Sequence, residues 1–134
     1  MAGEHPNGTI EIDHVVLMSL TPLRTVAALE RRGFDVRRIR DVGNGMEQTF
    51  FKAREVVLEL IGPQRPREED FDKPAHFYGL AFTVEDLAAT AAFLGDKLGR
   101  VKDAVQRGRQ IATLRKEAGA GLAVAFMSPG RAAV

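Results

Sequence analysis

Ile12-Asp13-His14-Val15-Val16-Leu17-Met18, near the start of the chain, returns half a chain later as Phe77-Tyr78-Gly79-Leu80-Ala81-Phe82-Thr83. A second stretch, Val57-Leu58-Glu59-Leu60-Ile61-Gly62-Pro63, returns as Ala123-Val124-Ala125-Phe126-Met127-Ser128-Pro129. Gly79 follows His14 by 65 positions, and Ala125 follows Glu59 by 66. Gly33 and Gly99, each closing a helical stretch, also lie 66 apart. A near-constant offset at three landmarks marks one supersecondary unit used twice. The first copy carries His and Glu where the second carries Gly and Ala. Half of a candidate metal site is present, and half is missing.

Around these landmarks the first copy reads as β-α-β-β-β. Ile10 to Ser19 alternates and is rich in Val, Ile and Leu, which predicts a strand. Thr21-Pro22 opens a helix, with Thr as N-cap and Pro in the first turn, where its missing N–H costs nothing. Gly33 ends that helix. Strands are expected over 36–42, 46–53 and 55–61, the first two joined at Gly43-Asn44-Gly45, a hairpin signal because Gly and Asn tolerate positive φ. Pro63 to Pro74, with three prolines and Glu68, Glu69 and Asp70, reads as a linker. The second copy expects a strand over 77–83, Thr83 as cap of a helix ending at Gly99, and strands over 101–106, 110–115 and 122–127. Leu87, Ala91, Leu94 and Leu98 give that helix its apolar face. The expected fold class is α+β. Neither copy has enough strands to bury its own apolar face, so two paired βαβββ modules should form a curved, cup-like mixed β-sheet with helices outside. Residues 1–134 make one domain: module one about 10–62, linker about 63–75, module two about 76–129.

Composition excludes several function classes. Nineteen Lys and Arg against 18 Asp and Glu leave a formal charge of +1, which gives no electrostatic reason to expect nucleic acid or an anionic membrane. The absence of cysteine excludes disulfides, thiolate zinc sites and thiol nucleophiles. No apolar run approaches a membrane span, and residues 1–9 lack the apolar core of a signal peptide. The expectation is a soluble cytoplasmic protein. No glycine-rich phosphate loop and no nucleophile elbow is present.

A duplicated β-α-β-β-β unit opening Ile12-Asp13-His14 resembles the vicinal oxygen chelate superfamily. Glyoxalase I, methylmalonyl-CoA epimerase, extradiol dioxygenases and the bleomycin and fosfomycin resistance proteins belong to that group. The Leu58-Glu59-Leu60-Ile61 strand and the junction from Leu80 to Leu87 carry the likeness further, and it covers residues 10–129. The resemblance implies a homodimer and a small-molecule ligand or substrate in the cup. It also implies a divalent ion held by the first and last strands of each module, where His14 and Glu59 match and Gly79 and Ala125 do not. A catalytic metal site wants about three protein ligands plus open positions. The reading is therefore an incomplete metal site and no cofactor, with a divalent metal left open. Three completions remain: His76, a chelating substrate, or the same pair from a second chain.

Two function classes stay open at this point. In one, the cup binds and sequesters a small organic molecule, as the bleomycin-resistance branch implies. In the other, the chain is a lyase or isomerase of glyoxalase or epimerase type. Glu59, desolvated on an apolar strand, then acts as base with His14 as its partner. A buried polar pair without chemistry is the plain alternative for His14 and Glu59. Gln48, Phe50, Met18, Tyr78 and Met127 are the candidate ligand-binding residues, although core packing is the ordinary role of such aromatic and methionine side chains. Arg107 and Arg109, beside a hairpin glycine, read as solvated. So do Arg37, Arg38 and Arg40.

Overall fold

The computed structural model describes residues 4–130. Its elements run β1 (Thr9–Met18), α1 (Pro22–Arg31), β2 (Asp35–Gly43), β3 (Met46–Ala53), β4 (Val56–Pro63), β5 (His76–Val84), α2 (Leu87–Leu94), β6 (Lys102–Asp103), β7 (Gln110–Thr113) and β8 (Ala123–Met127). The class is α+β and the β-α-β-β-β order occurs twice, as the repeat predicts. The chain forms two compact units. One is the continuous segment His14–Gly79. The other joins the described residues up to Asp13 to those from Leu80 onward.

In the continuous unit the strand order is β2-β3-β4-β1. The hairpin between β2 and β3 turns through Gly43, Asn44 and Gly45, all at positive φ (83°, 56° and 71°). Asp41 fixes the turn by accepting the Gly43 N–H at 2.8 Å. β3 and β4 are antiparallel, and β4 pairs with β1 in parallel, Val16 opposite Glu59 and Met18 opposite Ile61. Alternation sends Thr49, Phe51 and Leu60 to one face, where all three are fully buried. The helix α1 packs on β2 and β4. Thr21 stands at its N-cap but makes no side-chain capping bond. Ser19 does the local work instead: its Oγ accepts the Thr21 N–H and meets Thr25 Oγ1 at 2.7 Å. Pro22 presses on β4 so closely that a Cβ on Gly62 would lie 2.1 Å from Ser19 O and 2.4 Å from Pro22 Cγ.

In the discontinuous unit the order is β5-β8-β7-β6. Val84, Leu87, Leu98, Ala112 and Phe126 form its core, and the Phe82 and Phe126 rings stack with centroids 6.0 Å apart. Four expectations are corrected here. The α2 cap is Asp86, accepting the Ala89 N–H, and not Thr83. Thr83 donates its hydroxyl to Asp13 at 2.9 Å. The helix stops at Leu94, with Gly95 at φ 58°, one turn before Gly99. Leu98 still reaches the core through a short 3-10 turn, Gly95–Lys97. The strand expected over 101–106 is only the pair Lys102–Asp103. Arg109 is buried rather than solvated: its Nη2 lies 2.7 Å from Asp13 Oδ1, its Nε donates to Ser128 O, and its Nη1 donates to Gln106.

Three substitutions test these statements. Gly62→Ala forces a methyl into backbone and ring atoms and should cost about 1–3 kcal/mol in urea unfolding. Gly121→Ala meets open space and should change stability by less than about 0.5 kcal/mol. Equal costs for the two would contradict the close contact of Pro22 with β4. Arg109→Met removes the buried guanidinium that faces the part-buried Asp13 carboxylate, which keeps its Thr83 hydrogen bond, and should cost about 3 kcal/mol. A loss below about 1 kcal/mol would show the pair to be solvated.

Candidate functional site

The face of the continuous unit opposite Phe51 and Leu60 carries the candidate residues. Alternation places His14, Val16 and Met18 of β1 there, with Val57, Glu59 and Ile61 of β4 and Gln48 and Phe50 of β3. Phe50 is directly opposite Glu59, whereas His14 and Gln48 are each displaced by two residues along the strands and reach it diagonally. His14 Nε2 lies 3.4 Å from Glu59 Oε2. Gln48 Nε2 donates to Glu59 Oε1 at 2.5 Å. Arg40, directly opposite Gln48 on β2, points Nη1 at Gln48 Oε1 over a long 3.5 Å. A polar row thus crosses four adjacent strands, from Arg40 through Gln48 and Glu59 to His14.

Glu59 is 8% exposed and sits among apolar neighbours. Burial pushes its carboxyl above the ordinary carboxylate range, while His14, the Gln48 hydrogen bond and Arg40 each pull it back. The net direction is upward. A carboxylate that is desolvated yet retains one hydrogen bond from an amide accepts a proton more readily than an ordinary glutamate.

The other candidate residues fall in different places. Met18 ends β1 and lines a cavity of about 620 Å³ in the same unit. Met127 is buried at 5% exposure at the end of β8. Tyr78, at the start of β5, is 47% exposed, and Phe77 beside it is 67% exposed, so neither is packed as core within the chain. Arg40, read from the sequence as solvated with Arg37 and Arg38, is instead part-buried and turned toward Gln48. The symmetry of the Gly43-Asn44-Gly45 hairpin, which pairs it with Gln48, is the signal that finds it. The segment read as the linker has local structure of its own. Glu68–Asp70 forms a 3-10 turn, and Asp70 is buried, with Lys73 Nζ at 2.7 Å and Arg67 Nε at 3.3 Å.

His14 and Glu59 offer a nitrogen and a carboxylate to a metal ion. Among the described residues no three His, Asp or Glu side chains are grouped to hold one, and His76 does not join the pair. These side chains alone fall short of the three-ligand set of a catalytic metal site.

No protein-family model and no curated protein matches the chain. Solved structures do. The fold is that of the vicinal oxygen chelate proteins, as the sequence resemblance implies, and the likeness extends over nearly all of the chain. Methylmalonyl-CoA epimerase from Mycobacterium tuberculosis superposes with a TM-score of 0.72 at 14% identity, covering 97% of this chain and 93% of that one. A variant of the Streptomyces coelicolor methylmalonyl-CoA epimerase, in complex with 2-nitronate-propionyl-CoA, gives 0.68 at 21% identity, covering 91% and 99%. A hypothetical protein from Bacillus halodurans C-125 gives 0.70 at 15%, covering 92% and 97%. At these identities the likeness establishes the fold.

The raised Glu59 pKa fixes the sign of a stability profile. Between the ordinary glutamate value of 4.5 and the higher folded value, the native chain holds more protons than the unfolded one. Stability from this group is therefore fully present below 4.5 and lost as pH rises through the folded pKa. Urea unfolding of the native chain and Glu59→Gln across pH 4 to 8 should show the native chain losing ground to the variant as pH rises. Parallel profiles, or a difference of the opposite slope, would remove the claim that burial dominates at Glu59.

Proposed function

We propose that the chain acts on a small organic molecule carrying a carbonyl group, with Glu59 removing a proton from the carbon beside that carbonyl. The observation that carries this reading is the desolvated Glu59 carboxylate held between Gln48 and His14 on an otherwise apolar strand face. As the C–H bond breaks, the proton passes to Glu59. The bonding electrons move toward the carbonyl oxygen, giving an enolate. Gln48 holds one carboxylate oxygen by its N–H, leaving Oε2, the oxygen near His14, as the acceptor. His14 is the group placed to donate a hydrogen bond to the substrate oxygen on which charge develops. Return of the proton to carbon completes an isomerisation, and loss of a neighbouring leaving group would make the same centre a lyase.

Support from outside the chain is the group of methylmalonyl-CoA epimerases sharing its fold, one of them in complex with methylmalonyl-CoA and NH4+. Acyl thioesters with an acidic α-hydrogen are accordingly the first substrates to try. A second reading, sequestration without chemistry, is favoured by Gly79 and Ala125. These strand positions of the second module bring no donor side chain to the site.

The test is hydrogen exchange at carbon in D2O, followed by proton NMR on a panel of 2-substituted acyl thioesters and 2-substituted 3-oxo acids. The native chain should wash deuterium into the α-position, with a rate that climbs as pH rises through the Glu59 pKa. Glu59→Gln should lower that rate by about 10²–10⁴-fold. Tight binding of a panel member with no exchange above the buffer rate would establish sequestration instead.

A further inference from the structure

The cavity at the end of β1 adjoins the Glu59 centre and has a composition of its own. Met18, Leu20, Met46 and Pro63 supply most of its apolar wall, with the Asn44-Gly45 turn at one side. Strand register fixes its distance from the reacting group. Met18 is paired with Ile61, two residues beyond Glu59 on β4, and Met46 lies two residues before Gln48 on β3. At the strand rise, the cavity begins roughly 7 Å from the Glu59 row, along the same face of the sheet. A volume of about 620 Å³ falls in the range of small-molecule sites. Two methionines on facing strands give a wall that adapts to unbranched or irregular apolar groups.

The far wall is the folded 63–74 segment, and it is charged. Gln64 N–H donates to Gly45 O at 2.8 Å, which joins this segment to the hairpin. Arg24, from α1, donates to the Phe71 carbonyl and holds the other end. Arg65, Arg67 and Asp70 line the cavity. Asp70 is already neutralised by Lys73 and Arg67, and Arg67 is also paired with Glu69 at 3.1 Å. Arg65 is different: among the described residues it has no ion-pair partner. One uncommitted guanidinium therefore stands at the rim of an apolar cavity, with two donors in a plane suited to a carboxylate or phosphate.

We infer that this cavity is the specificity pocket of the protein, and that it takes a ligand with an elongated apolar body ending in an anionic group at Arg65. As a statement about substrate this rests on Glu59 being the reacting base, with the carbonyl end at Glu59 and the apolar body running over Ile61 and Met18. As a statement about binding it stands on the cavity alone. A short, uncharged carbonyl compound fills neither the methionine wall nor the arginine, so selection is for the long anionic member of a homologous series.

Octanoate is the probe, with octanol and propionate as counterparts, read by NMR on protein labelled at the methionine methyls. Octanoate should shift the Met18 and Met46 methyls and leave Met127, which lies in the other unit, unmoved. Octanol, lacking the anion, and propionate, lacking the body, should each bind at least about tenfold more weakly. Arg65→Gln should weaken octanoate by a similar factor while leaving octanol unchanged, and Met46→Trp should abolish the Met18 response. Glu59→Gln should retain octanoate binding, which separates the pocket from the chemistry. Octanoate without effect on Met18 and Met46, or bound equally by Arg65→Gln, overturns the proposal. If octanoate seats as expected and no carbon acid exchanges, the pocket stands and the reading of Glu59 falls. If exchange proceeds while the pocket methyls stay silent, the reverse holds.

Discussion

The parallel pairing of β1 with β4 decides what this face of the sheet can be. Val16 stands opposite Glu59, so His14 meets the carboxylate on the diagonal and Met18 lands beside Ile61 at the cavity mouth. A slip of one residue would turn His14 to the opposite face, which holds Phe51 and Leu60. That slip is resisted from behind. Pro22 and the Ser19 carbonyl press on Gly62, where no side chain would fit, and Thr49, Phe51 and Leu60 need their burial. The α1 packing is thus what holds the acid, its neighbours and the pocket in one frame.

Keeping a carboxylate on such a face is costly. An apolar residue at position 59 would pack on the sheet without desolvating a charge, and replacing buried ionic groups by apolar ones is often neutral or stabilising. The structure reduces the cost without removing it: an amide donates to one oxygen, a histidine stands near the other, and Arg40 lies behind the amide. Arg40 also bears on the orientation of Gln48. With the guanidinium at Oε1, the amide nitrogen is left for Glu59, so the side chain has one sensible placement of its two ends.

Much of this was legible in the sequence, and the misses share a cause. The repeated strand motifs gave the module order, and Gly43-Asn44-Gly45 gave the β2–β3 hairpin because three successive positive φ values admit few other residues. His14 and Glu59 stood out as ionisable groups among valines and leucines. What stayed hidden depended on long-range partners. Arg109 beside Gly108 reads as a solvated hairpin residue until Asp13, Thr83 and Ser128 are brought to it. Leu98 continues the helical spacing of Leu87, Ala91 and Leu94, yet Gly95 ends the helix and a 3-10 turn delivers Leu98 to the same core. Asp70 lies in a run of prolines and charges that looks like a tether, and only its pairing with Lys73 and Arg67 makes that run a wall.

The division of the chain at Asp13 and His14 has a bearing on how the protein is made. The unit that holds Glu59 is one unbroken segment, His14–Gly79, and its contacts span modest stretches of chain. The other unit needs residues from both ends: Asp13 finds Arg109 across 96 positions, and Thr90 donates to the Asn7 carbonyl across 83. During synthesis from the N-terminus, the site-bearing unit has all its strands once Gly79 has emerged, while the first strand's opening residues wait for partners not yet translated. Closing so long a loop is slow, and Ile10 and Ile12 lie on an edge open to other chains meanwhile. The hazard to productive folding therefore lies in the unit that does not hold Glu59.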